Sequence, residues 1–204
     1  MINTTAWNRL RYTVYAPLYD LVATKTFCKP RRMALGQVDW EPGMRVLLVG
    51  AGTGLDLPYL PHELETHLTD LTPAMVKRAR ERAEKARRDV ECRVMDAAAL
   101  EYPDEHFDVV VMHLILAVMP HPEQGLAEAN RVLKPDGQLC VMDKFQPDAQ
   151  LAGPSRRALN AFTSFIATDI TRQATPLIQQ AGFTIRRDEP VLMNGLFRAL
   201  LATK

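Results

Sequence analysis

The run Met44-Arg45-Val46-Leu47-Leu48-Val49, followed at once by Gly50-Ala51-Gly52-Thr53-Gly54-Leu55-Asp56, decides how the rest of the chain is read. Only Arg45 interrupts the apolar run, which is the mark of a β-strand covered on both faces. Glycines tolerate positive φ and let the backbone approach a ligand closely, so such a loop at a strand's carboxyl end suits a nucleotide. Its spacing excludes two common forms. A dinucleotide fingerprint needs glycine at position 55, where the chain has Leu55, and a phosphate-cradling P-loop needs a Gly-Lys-Ser/Thr ending that is absent. A purely structural glycine loop stays open at this point.

Outward from the loop, short apolar runs alternate with longer helical ones, the pattern of βαβ units and a parallel sheet. Leu64 to Thr69 reads as the second strand, Thr72-Pro73 as a helix entrance, and a charged helix runs to about Arg88. Val90 to Met95 and Phe107 to Met112 are the third and fourth strands. Pro122 to Leu133 is helical, Pro135-Asp136-Gly137 a turn, and Gln138 to Asp143 the fifth strand. Residues 146–171 read as a loop with one helix, and Arg172 to Ala181 as a last helix ended by Gly182. Phe183 to Arg187 and Val191 to Ala202, joined through Asp188-Glu189-Pro190, form a closing pair. A parallel crossover needs a dozen or more residues, so this pair is expected to be antiparallel.

With 204 residues, 47% apolar and 24% charged, the composition is that of a globular chain able to bury a core without staples. One domain over 1–204 is expected, with residues 1–40 as a helical cap and 41–204 as a Rossmann-like core. Cys28, Cys92 and Cys140 match neither a disulfide framework nor a zinc spacing, which predicts a reducing, cytoplasmic setting and no metal. No apolar stretch resembles a signal peptide or a membrane span. The 25 basic residues against 24 acidic ones offer no field for nucleic acid. The balance is uneven, however: residues 1–32 hold six basic side chains and only Asp20 as an acid, a net +5, which leaves −4 over residues 33–204.

Two carboxylates extend the glycine loop into a site. Asp70 lies twenty residues after Gly50 at the end of the second strand, where a carboxylate can accept hydrogen bonds from both hydroxyls of a ribose. Asp96 closes the third strand in Met95-Asp96-Ala97, where it can meet an exocyclic amine. Three such elements at three successive strand ends make a structural reading of the glycine loop hard to sustain.

On these residues the chain resembles the class I S-adenosylmethionine-dependent methyltransferases. Val46 to Asp56 is similar to their first motif, Thr69 to Met75 to the ribose-binding segment, and Met95 to Ala97 to the adenine-binding segment. Arg131 to Gly137 is similar to the turn before their fifth strand, although Asp136-Gly137 stands where the family usually has two glycines. The resemblance implies an α/β fold with a seven-stranded sheet of order 3-2-1-4-5-7-6, only strand seven antiparallel. It implies Gly50, Gly52 and Gly54 along the methionine part of the cofactor, Asp70 on the ribose, and Asp96 with the backbone of Ala97 on the adenine. Tyr19 resembles an N-terminal tyrosine that covers the cofactor in several relatives.

Methyl transfer requires mainly that an acceptor lone pair be aligned with the sulfonium methyl and water excluded. His113, which resembles in position the residues facing the transferable methyl, is the candidate polar group at the acceptor. A histidine that only hydrogen-bonds within its loop is the alternative. The following stretch, Leu114 to Met119, is apolar and suits an amphiphile. Ala6, Trp7, Leu10, Val14, Leu18 and Leu21 form a stripe near helical spacing. That stripe suits either a lid on the cofactor site or a helix lying on an anionic membrane. Lys77, Arg78, Arg80, Arg82, Lys85, Arg87 and Arg88 read as a solvated helix face.

On Tyr19-Asp20, the paired Arg31-Arg32, the apolar run after Val109-Val110-Val111 and the stretch Asn194 to Arg198, the resemblance within the superfamily is greatest to small bacterial phosphatidylethanolamine N-methyltransferases, and next to ubiquinone/menaquinone C-methyltransferases. It implies a lipophilic or amphiphilic acceptor, phosphatidylethanolamine first. Quinone C-methylation and small-molecule O- or S-methylation are the enzymatic alternatives. A cofactor-binding sensor or scaffold is the non-catalytic one.

Overall fold

The structure is a computed structural model, and residues 24–145 and 172–204 are described. Tyr19, the N-terminal apolar stripe and the loop and helix expected over residues 146–171 lie outside the described residues. Helix α1 covers residues 24–35, and the Trp40 indole N–H donates to Leu35 O at 2.9 Å just beyond its end. The strands are β1 (Arg45–Val49), β2 (Glu65–Asp70), β3 (Val90–Val94), β4 (Phe107–His113), β5 (Leu133–Lys144), β6 (Thr184–Leu192) and β7 (Phe197–Thr203). Helices α2 (Pro73–Lys85), α3 (Pro122–Val132) and α4 (Ala174–Gln180) complete the described elements, with short 3-10 turns at Leu57–Tyr59 and Met193–Gly195.

The seven strands form one sheet in the order β3-β2-β1-β4-β5-β7-β6. Pairing is parallel from β3 through β5 and antiparallel on both sides of β7. The alternation of side chains along a strand splits the apolar runs between two cores. On one face Leu47, Val49, Val110 and Met112 meet Leu126 and Ala129 of α3 and Ile178 of α4. On the other, Val46, Leu48, Val109 and Val111 meet Ala34 and Leu35 of α1 and Val76 and Ala79 of α2. Coverage on both faces is why the central strands read as unbroken apolar runs.

Three boundaries differ from the sequence reading. The expected linker Asp188-Glu189-Pro190 lies inside β6, and the chain reverses at Met193–Gly195, where Asn194 adopts φ 50 and Gly195 φ 87. Pro190 is tolerated because β6 is the edge strand, where a missing N–H costs little. Pro135-Asp136-Gly137 is an irregularity within β5, since the register with β4 passes from Leu133 opposite Phe107 to Gln138 opposite Val109. Helix α2 stops at Lys85 because Arg87 turns left-handed at φ 51.

The basic face of α2 differs in part: Lys77, Lys85 and Arg87 are exposed as a solvated face requires, while three arginines reach backbone carbonyls. Arg80 donates to Cys92 O at 3.1 Å and Arg82 to Thr53 O at 2.8 Å. Arg88, past the helix end, donates to Leu57 O and Leu60 O at 2.7 Å each and also to Pro61 O. These guanidiniums bind backbone carbonyls of the edge strand β3 and of the loop between β1 and β2, which a fully solvated face would not do.

Candidate active site

A cleft opens at the carboxyl ends of β1 to β4, at the point where the strand order reverses direction from β1. Gly50 and Gly52 adopt φ 61 and φ 58, the left-handed region that favours glycine. A Cβ on Gly50 would sit 2.0 Å from Ile115 Cδ1, whereas one on Gly52 would meet nothing within 4 Å. The first glycine lets the post-β4 loop close on β1, and the second leaves backbone open toward the cleft.

Asp70 ties this loop to the next. Its Oδ2 accepts from Gly52 N at 2.9 Å and its Oδ1 from Thr72 N at 2.8 Å. Each carboxylate oxygen has a second lone-pair site for a hydroxyl donor. Burial at the strand end raises the Asp70 carboxyl above its ordinary value, against the opposing effect of the two amide bonds and of the Thr72 hydroxyl. Asp96 accepts from Ala98 N at 3.0 Å, which fixes the turn that places Asp96 and Ala97 in the cleft wall. Gly50, Gly52, Asp70, Asp96, Ala97 and His113 are thus brought to one cleft. Gly54 is placed elsewhere: a Cβ there would lie 3.0 Å from Leu57 Cδ1 and 3.3 Å from Ala79 Cβ, so this glycine serves the packing of loop on helix.

His113 ends β4 with its side chain only 1% exposed, and Nδ1 lies 2.8 Å from Asp56 Oδ1. Its Nε2 lies 3.6 Å from Cys140 Sγ. Asp56 also takes an ion pair from Arg31 of α1, and both of those side chains are buried. Against the cost of burial, Arg31 and His113 hold the Asp56 carboxyl well below its ordinary range. Burial, with the Asp56 charge nearby, pushes the Cys140 thiol far up, so it is an inert proton-bearing group. In the sequence Asp56 stands only as the end of the first motif and Arg31 only within the basic segment 1–32, with Arg32 beside it, and neither signal joins the two. A charged residue seven places into an apolar loop was the available signal for Asp56; nothing local pairs it with Arg31.

The other end of the cleft is mostly apolar, with His121 and Gln124 beside its apolar side chains. Ile115, Val118, Met119 and Pro120 line it from the loop between β4 and α3. A polar end with a ribose-type acceptor and an apolar end beyond it, at the switch point of an open parallel sheet, are the features of a class I methyltransferase.

Comparison with known proteins agrees. A family model described as a methyltransferase domain matches residues 47–141. A phosphatidylethanolamine N-methyltransferase of Cereibacter sphaeroides is 31% identical over 185 residues, 90% of this chain and 91% of that protein. A ubiquinone/menaquinone biosynthesis C-methyltransferase of Bordetella avium is 33% identical over 134 residues, 63% of this chain and 52% of its own length. Among solved structures, the cyclase SpnF superposes with a TM-score of 0.83 at 20% identity, covering 98% of this chain and 97% of that one. A SAM-dependent methyltransferase of Aquifex aeolicus has a TM-score of 0.63 at 22% identity, covering 85% and 88%. The structural likenesses show the fold. The chain belongs to the class I S-adenosylmethionine-dependent methyltransferases, and S-adenosylmethionine is its cofactor.

Proposed function

We propose that this methyltransferase acts on a lipophilic or amphiphilic small acceptor, and that the acceptor is the amine of phosphatidylethanolamine. The observation that carries the acceptor is the match to a phosphatidylethanolamine N-methyltransferase over nine-tenths of both chains. The apolar wall of Ile115, Val118 and Met119 supports it, because the lipophilic part of an amphiphile can bury apolar surface there. The cleft also fits the cofactor: Gly52 leaves open backbone where a Cβ would otherwise stand, and Asp70 keeps lone pairs aimed at the same space. In this reading Gly50 and Gly52 border the methionine part, Asp70 binds the ribose, and Asp96 with the Ala97 backbone binds the adenine. Tyr19, expected to cover the cofactor, is proposed on its sequence position alone. S-adenosylmethionine, when bound, supplies an electrophilic methyl group on a sulfonium.

The chain's own residues then have three tasks: binding, alignment of the acceptor, and exclusion of water by the apolar wall. An ammonium acceptor must also lose a proton before it can attack. Asp56 sets His113 for that task, because an Nδ1–H donated to Asp56 leaves Nε2 as the basic nitrogen. Nε2 faces the Cys140 thiol, so His113 takes the acceptor's proton only by exchanging that neighbour. His113→Asn tests the assignment. A base role removes the acidic limb of the pH–rate profile with cofactor affinity unchanged, and an unaltered profile leaves His113 as a residue that only holds the loop.

The acceptor is tested by incubating enzyme and methyl-labelled cofactor with vesicles of phosphatidylethanolamine, and separately with a demethylated quinone. Label in mono- and dimethylated phospholipid supports the reading, and label only in the quinone replaces it. The quinone reading is favoured by relatives that match about half of their own length. Contact with an anionic membrane is part of the proposal. Residues 1–32 stand at +5, and Lys25, Lys29 and Arg32 are exposed on α1, where residues 24–35 include no acid. Among the described residues no helix is long and apolar enough to cross a membrane. Sedimentation with anionic but not with neutral vesicles is the expected result, and sedimentation with neither removes the membrane from the proposal.

A further inference from the structure

After β4 the chain makes one helical turn, in which the amides of Val118 and Met119 both donate to Ile115 O at 3.0 Å. The turn is entered through Leu114 at φ 60, a left-handed conformation that a bulky residue adopts only when its surroundings impose it. Leu114 N donates to Met142 O of β5 at 2.7 Å, which anchors that entry.

Two charged side chains hold the turn itself. Asp143, fully buried near the end of β5, accepts from Ala117 N at 3.0 Å through Oδ2 and from Lys144 N at 2.7 Å through Oδ1. Arg172, two residues before α4, donates to Met119 O at 2.8 Å and also to Leu116 O. An anion meets an amide of the turn while a cation meets its closing carbonyls, so both charges agree with the direction of the peptide dipoles. Bonds of this charge-assisted kind are about twice as strong as neutral ones. Neither side chain lines the cleft, but Ile115, Val118 and Met119 on the turn do.

The placement has a cost. Asp143 is fully buried at the end of a strand whose neighbouring side chains, Val141, Met142 and Phe145, are apolar and buried, and an apolar residue there would not desolvate a carboxylate. What an apolar residue cannot do is fix Ala117 N–H. We infer that Asp143 and Arg172 are positioning residues that set the acceptor end of the cleft by clamping the turn 115–119. The inference rests on reading the apolar end as the acceptor side.

The test uses the full-length enzyme and compares Arg172→Ala with Arg172→Lys, which keeps a cation able to donate to the same carbonyls. Because a displacement near 1 Å can cost about a hundredfold, Arg172→Ala is expected to lower kcat/KM for phosphatidylethanolamine vesicles by about 10- to 100-fold. The dissociation constant of S-adenosylmethionine, read by calorimetry, stays within about twofold, because its proposed contacts come from other loops. Amide hydrogen exchange over residues 114–120 accelerates in Arg172→Ala and returns toward wild type in Arg172→Lys. Unchanged exchange over that segment overturns the inference, and so does a loss of cofactor affinity as large as the loss for the acceptor. If Arg172→Ala does not fold, Arg172→Gln carries the same comparison. If the wild-type enzyme leaves phosphatidylethanolamine unmethylated, the proposed acceptor fails, and the exchange comparison still decides the clamp.

Discussion

Replacing Asp56 by alanine should be among the most destabilising single changes in this chain. Asp56 is 2% exposed and answers two cationic or donor groups at once, Arg31 with a side chain 4% exposed and His113 with one 1% exposed. Removing the carboxylate leaves a guanidinium buried without its counter-charge, a loss of about 3–5 kcal/mol. In a chain of this size that corresponds to a fall of about 6–20 °C in Tm. The pH dependence follows from the lowered Asp56 carboxyl. In the unfolded chain Asp56 protonates near its ordinary value of 3.8, while in the folded protein it stays charged to lower pH. Its stabilisation is therefore fully present above the unfolded value and is lost as pH falls through the folded one. Urea unfolding of wild type and Asp56→Ala from neutral pH downward should show a gap that is constant near neutrality and narrows below about pH 4. A double variant, Arg31→Met with Asp56→Leu, should recover at least half of the loss, because it removes both charges from the interior. A gap below about 1 kcal/mol at pH 7, or one that widens with acid, would refute the account of the pair as a buried, charge-compensated unit.

The remaining predictions concern three residues of the cleft. Asp70→Ala should weaken S-adenosylmethionine by about 1–3 kcal/mol in calorimetry, through lost charge-assisted hydrogen bonds; unchanged affinity would place the ribose elsewhere. Because the Asp70 carboxyl is raised by burial, cofactor affinity should begin to fall on acidification at a pH above that of an ordinary aspartate. The same raised value means that its effect on folding has the opposite sign to that of Asp56: it favours the folded state at acid pH, and this contribution is lost as pH rises through the folded value. Gly50→Ala should destabilise the protein, by about 1–3 kcal/mol in urea unfolding, since the new Cβ meets Ile115 in a backbone that strains any side chain. Gly52→Ala shares that backbone strain at φ 58 but meets no neighbour, so it should leave more of the stability intact yet weaken cofactor binding; unchanged binding would move the cofactor away from this loop.

Much of this site was legible along the chain because the relevant signals are local. A strand covered on both faces shows as an apolar run, a left-handed loop shows as glycines, and an acid at a strand end shows by its distance from the loop. Val46 to Asp70 contains all three, and the sheet order followed from the family that these motifs resemble. The reversal between β6 and β7 was misplaced because Pro190 reads locally as a breaker, and only an edge position makes it harmless. Gly54 was assigned to the ligand with its neighbours, although which glycine faces a cleft depends on what packs behind it.

The sequence by itself determined the βα alternation, the glycine loop, the two strand-end carboxylates and the apolar stretch after β4, since each is a pattern over neighbouring residues. Tertiary structure decided which charges meet. Arg31 reaches Asp56 across 25 positions, Asp56 reaches His113 across 57, and Arg172 reaches Met119 across 53. The physical reason is that a buried charge is tolerated only where the fold brings a counter-charge or a hydrogen-bonding partner to it, and no periodicity along the chain records that meeting.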